Sequence, residues 1–203
     1  MDSEDYQTNF HENRRMKMDA VKIVNKINKE HGTIKNVYFL ACGGSLVDLY
    51  PGYYFVRAES AVMDAQWIPA REFALTPPKK LGKDSLLIIC SHSGKTKECL
   101  EAAKVGMNAG AAVVTMTHAP GSACDTDEWI SIVYDWAPGV KEAEKPQGIV
   151  LRILNELMKI QEPGYVLYDK IAEGFDKIDE IIAAAVKDQQ NAAWLFAEKY
   201  SEE

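Results

Sequence analysis

Apolar residues fall in short blocks along most of this chain, and the blocks differ in period. Three runs, NVYFLAC (36–42), LLIIC (86–90) and AAVVTMT (111–117), are almost continuously apolar or β-branched and predict strands buried on both faces. AVMDAQ (61–66) is a weaker strand, and EWISIVYDW (128–136) predicts an edge strand. Helical spacing appears in the intervals. It runs from Glu12 to Lys29, carried by Met16, Met18, Val21, Ile23, Val24 and Ile27 and stopped at Gly32. It returns over much of Ser45 to Ser60 despite Pro51, over Thr96 to Asn108, and from Pro146 through Leu151, Leu154, Leu157 and Met158. LTPPKKLGKDS (75–85) reads as loop. Asp169 to Tyr200 predicts one or two amphipathic helices, with Ile171, Phe175, Ile178, Ile182 and Val186 followed by Trp194, Leu195 and Phe196. That is more apolar helix than a five-stranded domain needs, so the tail is expected to pack on a partner or to lead into a further segment.

Strands alternating with helices imply right-handed crossovers and a mostly parallel sheet. The expected fold is α/β: a flavodoxin-like, three-layer α-β-α sandwich on a five-stranded parallel sheet, with added N- and C-terminal helices. The expected division is an N-terminal helix over 1–32, the sandwich over 33–162 and a helical tail over 163–203. Such sheets bind ligands beyond the carboxyl ends of their strands, at the switch point. CGGS (42–45) and SHSGKT (91–96) fall there, and Thr117 and His118 end another strand on the same side.

Composition narrows the partner. At 203 residues and 47% hydrophobic the chain can bury one substantial core. A net charge of −7 and a pI of about 5.2 argue against nucleic acid and anionic membrane surfaces. No apolar run approaches the ~20 residues of a membrane span, and MDSEDYQTNFHENRR is too polar for a secretory signal. The expected location is the cytoplasm. Cys42, Cys90, Cys99 and Cys124 lack the paired spacing of a zinc site or disulfide scaffold; Cys42 and Cys90 read as small buried thiols.

Several named motifs fail on inspection. A P-loop ending in Gly94-Lys95-Thr96 needs glycine at Ile89, a nucleophile elbow around Ser45 needs glycine at Val47, and CGGSLVDL lacks the third glycine of a dinucleotide fingerprint. A simpler chemistry remains. Gly43 and Gly44 let backbone approach a ligand, Ser45 opens a helix, Ser91, Ser93 and Thr96 present hydroxyls, and Gly94 permits a tight turn. Hydroxyls and backbone amides at a helix start hold phosphate without a metal. A single serine there reads as an ordinary cap; two such loops at one sheet edge read as a phosphate site. His92 is a ligand contact or a loop histidine. Lys95 reads as solvated, because a helix start favours anions, and Glu98 and Glu101 read as dipole partners. Trp67, Trp129 and Trp136 read as packing residues, Trp136 close to a strand end.

The strand, CGGS, helix, and second strand ending in Ser-x-Ser-Gly-x-Thr resemble the sugar isomerase (SIS) domain, whose members bind phosphorylated sugars. VYFLACGGSLVDLYPGYYF, SHSGKTKE and EAEKPQGIVLRILNEL are most similar to the deglycases of phosphorylated Amadori compounds, and more distantly to the isomerising half of glucosamine-6-phosphate synthase. The resemblance implies that Ser45, Ser91, Ser93 and Thr96 hold a sugar phosphate, helped by His92, Gly94 and the backbone at Gly43 and Gly44. It places Lys145 on a segment lining the site. It implies no cofactor and no metal, a homodimer, and a 6-phosphorylated sugar or sugar–amino acid adduct as ligand. Relatives carry two such domains and draw their catalytic glutamate and histidine from the second, which is expected to begin about where this sequence stops. No spacing marks Glu59, Glu72, Glu142 or Glu144 as a base, so no catalytic residue is assigned. The expected function is the phosphosugar-binding half of a deglycase or isomerase acting on a fructosamine 6-phosphate. The alternatives are a non-catalytic sugar-phosphate sensor and a structural dimerisation domain; no helix-turn-helix pattern or basic patch favours the sensor.

Overall fold

The computed structural model describes residues 19–201. Its five strands form one sheet in the order β2-β1-β3-β4-β5, parallel throughout. The strands are β1 (Asn36–Ala41), β2 (Asp64–Pro69), β3 (Ser85–Cys90), β4 (Ala112–Thr117) and β5 (Ile130–Val133). The three inner strands β1, β3 and β4 are buried at every position, as continuous apolar runs require when helices cover both faces.

Helices α1 (Ala20–His31), α2 (Gly44–Asp48), α3 (Tyr50–Glu59), α4 (Ala70–Leu75), α5 (Lys97–Asn108), α6 (Pro146–Gln161) and α7 (Tyr168–Tyr200) complete the described chain. One core joins α1, α3 and α6 to the sheet through Val24, Ile27, Val56, Val150 and Leu154 against Val37, Phe39 and Ile88. A second core on the other face packs Phe73, Ala102 and Ala103 against Tyr38, Leu40, Leu87 and Ile89. Because side chains alternate along a strand, one apolar run feeds both cores.

Local chemistry sets the ends. Asp19 accepts from the Lys22 amide at 3.2 Å to cap α1, and Gly32, at φ 73°, returns its N–H to Asn28 O at 2.9 Å. The segment expected as one helix from Ser45 to Ser60 is two, α2 and α3. Pro51 stands in the first turn of α3, where its missing N–H costs nothing, and the chain breaks at Leu49. The weak strand expected over 61–66 lies three residues later, at Asp64–Pro69. Ser60 terminates α3, its hydroxyl bonded to the Glu162 carboxylate, and Glu162 also accepts from the Ala61 amide at 2.9 Å. At this edge Asp64, Trp67 and Pro69 are exposed, so β2 lacks the apolar density that marked its neighbours. The beginning of the helix expected from Glu12 lies outside the described residues. The tail is a single helix, α7, whose side chains are exposed beyond Ile178. Among the described residues no helix is long and apolar enough to cross a membrane.

Candidate functional site

In a parallel sheet every strand delivers its carboxyl end to one edge. The connections leaving β1 and β3 diverge there, β1 running to its neighbour β2 on one side and β3 to β4 on the other. The crevice between them is the switch point of this sheet. Cys42–Ser45 and Ser91–Thr96 meet at it, with His118 beyond β4 and Tyr134 beyond β5.

The loop after β3 is a tight turn, closed by the Gly94 amide on Ser91 O at 2.9 Å. Gly94 sits at φ 63°, and a Cβ there would lie 1.9 Å from Ser122 Oγ and 2.7 Å from Thr117 Oγ1, so only glycine lets the loop lie this close to the β4 end. Ser91 is buried, and its hydroxyl pairs with Thr96 Oγ1 at 2.8 Å. Thr96 stands at the N-cap of α5, yet no side chain caps this helix. The hydroxyls are thus held to each other beside an uncapped helix start, which departs from the ordinary cap a lone serine would be. His92 and Ser93 are exposed at the tip of the turn, with Ser93 Oγ accepting from the Lys95 amide at 3.3 Å. Lys95 is exposed, as expected of a solvated lysine.

The loop after β1 reaches the same crevice. Gly43 takes φ 58°, a left-handed conformation that a side chain would strain, before α2 begins. Ser45 is half-buried, and its hydroxyl faces the Cys90 thiol at the end of β3. α2 is pinned against the sheet edge by Trp67, whose indole N–H donates to Leu46 O at 2.7 Å. Trp67 therefore holds one wall of the site, and Trp129 donates to Thr115 Oγ1 at 3.0 Å behind the other.

An aromatic wall closes the far side. His92 Nδ1 lies 3.0 Å from the Tyr134 hydroxyl, and Tyr134 OH is 4.0 Å from Cys90 Sγ. Burial pushes the Tyr134 phenol up, so it stays protonated where it meets Nδ1. His118 Nδ1 donates to the Tyr134 carbonyl at 3.2 Å, and the two imidazoles stack with centroids 4.9 Å apart at 15°. Trp136 meets His92 edge-on at 5.6 Å. Lys145 reaches this wall from the α6 N-cap, its ammonium 5.6 Å from the Trp136 ring and paired with Glu142. Lys145 thus stands beside Trp136 with its charge already matched.

Two further residues reach the crevice that sequence reasoning passed over. Asp48 ends α2, three residues after Ser45 and so on the same helix face. Gln147, in the first turn of α6, donates from Nε2 to Asp48 Oδ1 at 3.0 Å. Burial raises the Asp48 pKa, and the neighbouring His92 lowers it in part. The spacing from Ser45 was the available signal for Asp48. Tyr134 was hidden inside a strand-like run, and Gln147 inside a segment read for its lysine.

Burial also sets the thiols apart. It pushes Cys90 up to about 12 and Cys124 up to about 11, and raises Cys99 as well, whereas Cys42 is only half-buried, a correction to its expected burial. A maleimide at neutral pH should therefore modify Cys42 alone in the folded protein, and all four cysteines after denaturation. Rapid native labelling at a second site, read by mass spectrometry, would contradict this packing.

No family model matches the chain. It is 31% identical over 171 residues to the fructosamine deglycase FrlB of Bacillus subtilis, a match that takes in 84% of this chain and 52% of that protein. It is also 31% identical over 126 residues to the isomerizing glutamine–fructose-6-phosphate aminotransferase of Clostridium tetani, covering 60% of this chain and 19% of the aminotransferase. Among solved structures, a crystal structure from Salmonella typhimurium LT2, assigned to a phosphosugar isomerase, superposes with a TM-score of 0.81 at 30% identity, over 92% of this chain and 56% of that one. The chain spans about half the length of the deglycase it matches. The shared sheet order, the two serine-bearing loops that meet at its switch point, and identity near a third with proteins of this kind lead to one conclusion: the chain has the fold of the sugar isomerase (SIS) domain and resembles its members in sequence.

Proposed function

We propose that residues 33–162 form the phosphosugar-binding domain of a deglycase or isomerase acting on a fructosamine 6-phosphate, flanked by the N-terminal helix and by the helical tail over 163–203. The observation that supports this most directly is the Ser91–Thr96 hydroxyl pair beside the uncapped start of α5. Two hydroxyls committed to one another, next to unsatisfied backbone amides, make an anion cradle rather than a cap. Ser93 and Thr96 would contact the phosphate, with Ser91 fixing Thr96 from behind. Ser45 and the Gly43–Gly44 backbone would close the second side, with His92 beside them.

In the reaction the resemblance implies, the sugar ring opens, a base moves a proton between C1 and C2, and water releases the amine from the resulting imine. Remote phosphate binding would hold C1 and C2 in place for that transfer. Proton transfer needs a carboxylate or imidazole positioned at those carbons with a suitable pKa. Glu142 is paired with Lys145, and Glu59, Glu72 and Glu144 are exposed. The base would come from a second domain. Calorimetry should show binding of glucose 6-phosphate and far weaker binding of glucose, and a 6-phosphofructose–amino acid adduct should release no amine on this chain alone. Equal affinity for glucose and its 6-phosphate would end the binding proposal. Turnover of the adduct would place the base within these residues.

A further inference from the structure

A phosphate site needs donors, yet the crevice between the two loops also contains a cluster of acceptors. Asp48 is half-buried there, close enough to Cys90 and Tyr134 for its charge to add to their upward shifts, and His92 in turn lowers the Asp48 pKa. Its Oδ1 accepts from Gln147 Nε2 at 3.0 Å. That bond fixes the amide orientation, because turning it over would set Gln147 Oε1 against a carboxylate. Gln147 Oε1 is then left buried, with no hydrogen-bond partner among the described residues. A buried amide oxygen without a donor is costly unless a ligand supplies one. The Asp48 carboxylate keeps further lone pairs beside it.

Both residues are held rigidly. Gly148 follows Gln147 and lies against the backbone of Ala143, so the first turn of α6 is seated on the Glu142–Glu144 turn. Asp48 is carried by α2, which Trp67 fixes to the sheet edge. A carboxylate and a carboxamide oxygen at a dianion site would weaken the binding of a plain sugar phosphate. They would favour a ligand that carries a phosphate at one end and a cationic amine at the other.

We propose that Asp48 and Gln147 form an acceptor pair that reads the amine of an aminosugar 6-phosphate, and so select amine-bearing phosphosugars over neutral ones. This rests on the phosphosugar reading of the loops. Gln147 Oε1 accepts one N–H of the ammonium, and the Asp48 carboxylate accepts another and balances its charge.

The test is calorimetry with four probes: glucose, glucose 6-phosphate, glucosamine 6-phosphate and N-acetylglucosamine 6-phosphate, in which acetylation removes the amine's charge. The unmodified protein is expected to bind glucosamine 6-phosphate about tenfold more tightly than the other two phosphosugars, the scale of one charge-assisted hydrogen bond. Asp48→Asn keeps the shape and removes the charge; it should bring that ratio close to one. Gln147→Leu keeps the carboxylate and should give an intermediate ratio. Equal binding of the three phosphosugars by the unmodified protein overturns the acceptor pair and leaves the phosphate reading standing. So does an Asp48→Asn protein, folded by circular dichroism, that keeps the preference. If glucose binds as well as glucose 6-phosphate, the phosphate reading fails and the acceptor pair fails with it.

Discussion

Ser91→Ala combined with Ser93→Ala is expected to erase the preference for 6-phosphorylated over unphosphorylated sugars. The two serines act differently. Ser93 is exposed at the tip of the turn and offers its hydroxyl directly, whereas Ser91 is buried and holds Thr96 through the 2.8 Å hydroxyl contact. Removing Ser91 therefore loosens Thr96 as well. A hydrogen bond to a charged group contributes about 1.5 to 3 kcal/mol, so losing two should cost roughly 3 to 6 kcal/mol of phosphate affinity, more than a hundredfold. Binding of the sugar alone should hardly change, since neither hydroxyl is needed for an uncharged ligand. The strand beneath is secured independently by the Ser91 amide on Met116 O at 2.9 Å, which the substitution leaves in place. Titration of glucose 6-phosphate into a folded double variant reads the result. An affinity within about twofold of the unmodified protein would mean that this loop does not hold the phosphate.

Gly148→Ala should damage stability more than any surface change in the same helix. A Cβ at this position would lie 2.5 Å from Ala143 Cα and 2.6 Å from both its carbonyl carbon and oxygen. The obstacle is backbone, so no side-chain rotation relieves it. Gly148 is buried in the first turn of α6, and the helix or the Glu142–Glu144 turn must move. Overpacking of this kind costs about 1 to 3 kcal/mol, which for a chain of this size lowers Tm by roughly 2 to 12 °C. Lys145 and Gln147 flank the displaced segment, so ligand affinity should fall together with stability. A thermal melt unchanged within about 1 °C would show that α6 and the turn are not packed as described.

The parts of this architecture that sequence disclosed are those where one physical requirement dominated. β1, β3 and β4 must be apolar on both faces, so NVYFLA, SLLIIC and AVVTMT announce themselves. Their parallel pairing followed from the alternation of strands with helices, and the two loops from where their strands end. β2 obeys no such single rule. As an exposed edge it mixes Asp64 and Gln66 with Trp67 and Ile68, and its start is set by the distant Ser60–Glu162 contact rather than by its own residues. The candidate site divides in the same way. Ser91, Ser93, Gly94 and Thr96 are contiguous and could be read as a loop, although the pairing of Ser91 with Thr96 could not. Asp48 and Gln147 lie 99 positions apart and become partners only through the packing of α6 beside α2. Tyr134 joins His92 across 42 positions, because β5 ends where β3 ends.

The tail helix lies against the turn beside the site, where Asp179 in α7 accepts from the Glu142 amide at 3.0 Å. Ile171 packs into the core a few turns earlier, while Ile181, Val186, Trp194, Leu195 and Phe196 face outward from the rest of the helix. A rod of 33 residues is about 50 Å long, so a small tilt at its anchored end is a large displacement at the other. The Glu142–Glu144 turn, which presents Lys145 and supports Gln147, is thus mechanically continuous with that rod. Thermodynamic linkage then applies in both directions. A partner that covered the exposed face and moved this turn would alter ligand affinity beside it, and ligand would then alter that partner's affinity by the same factor.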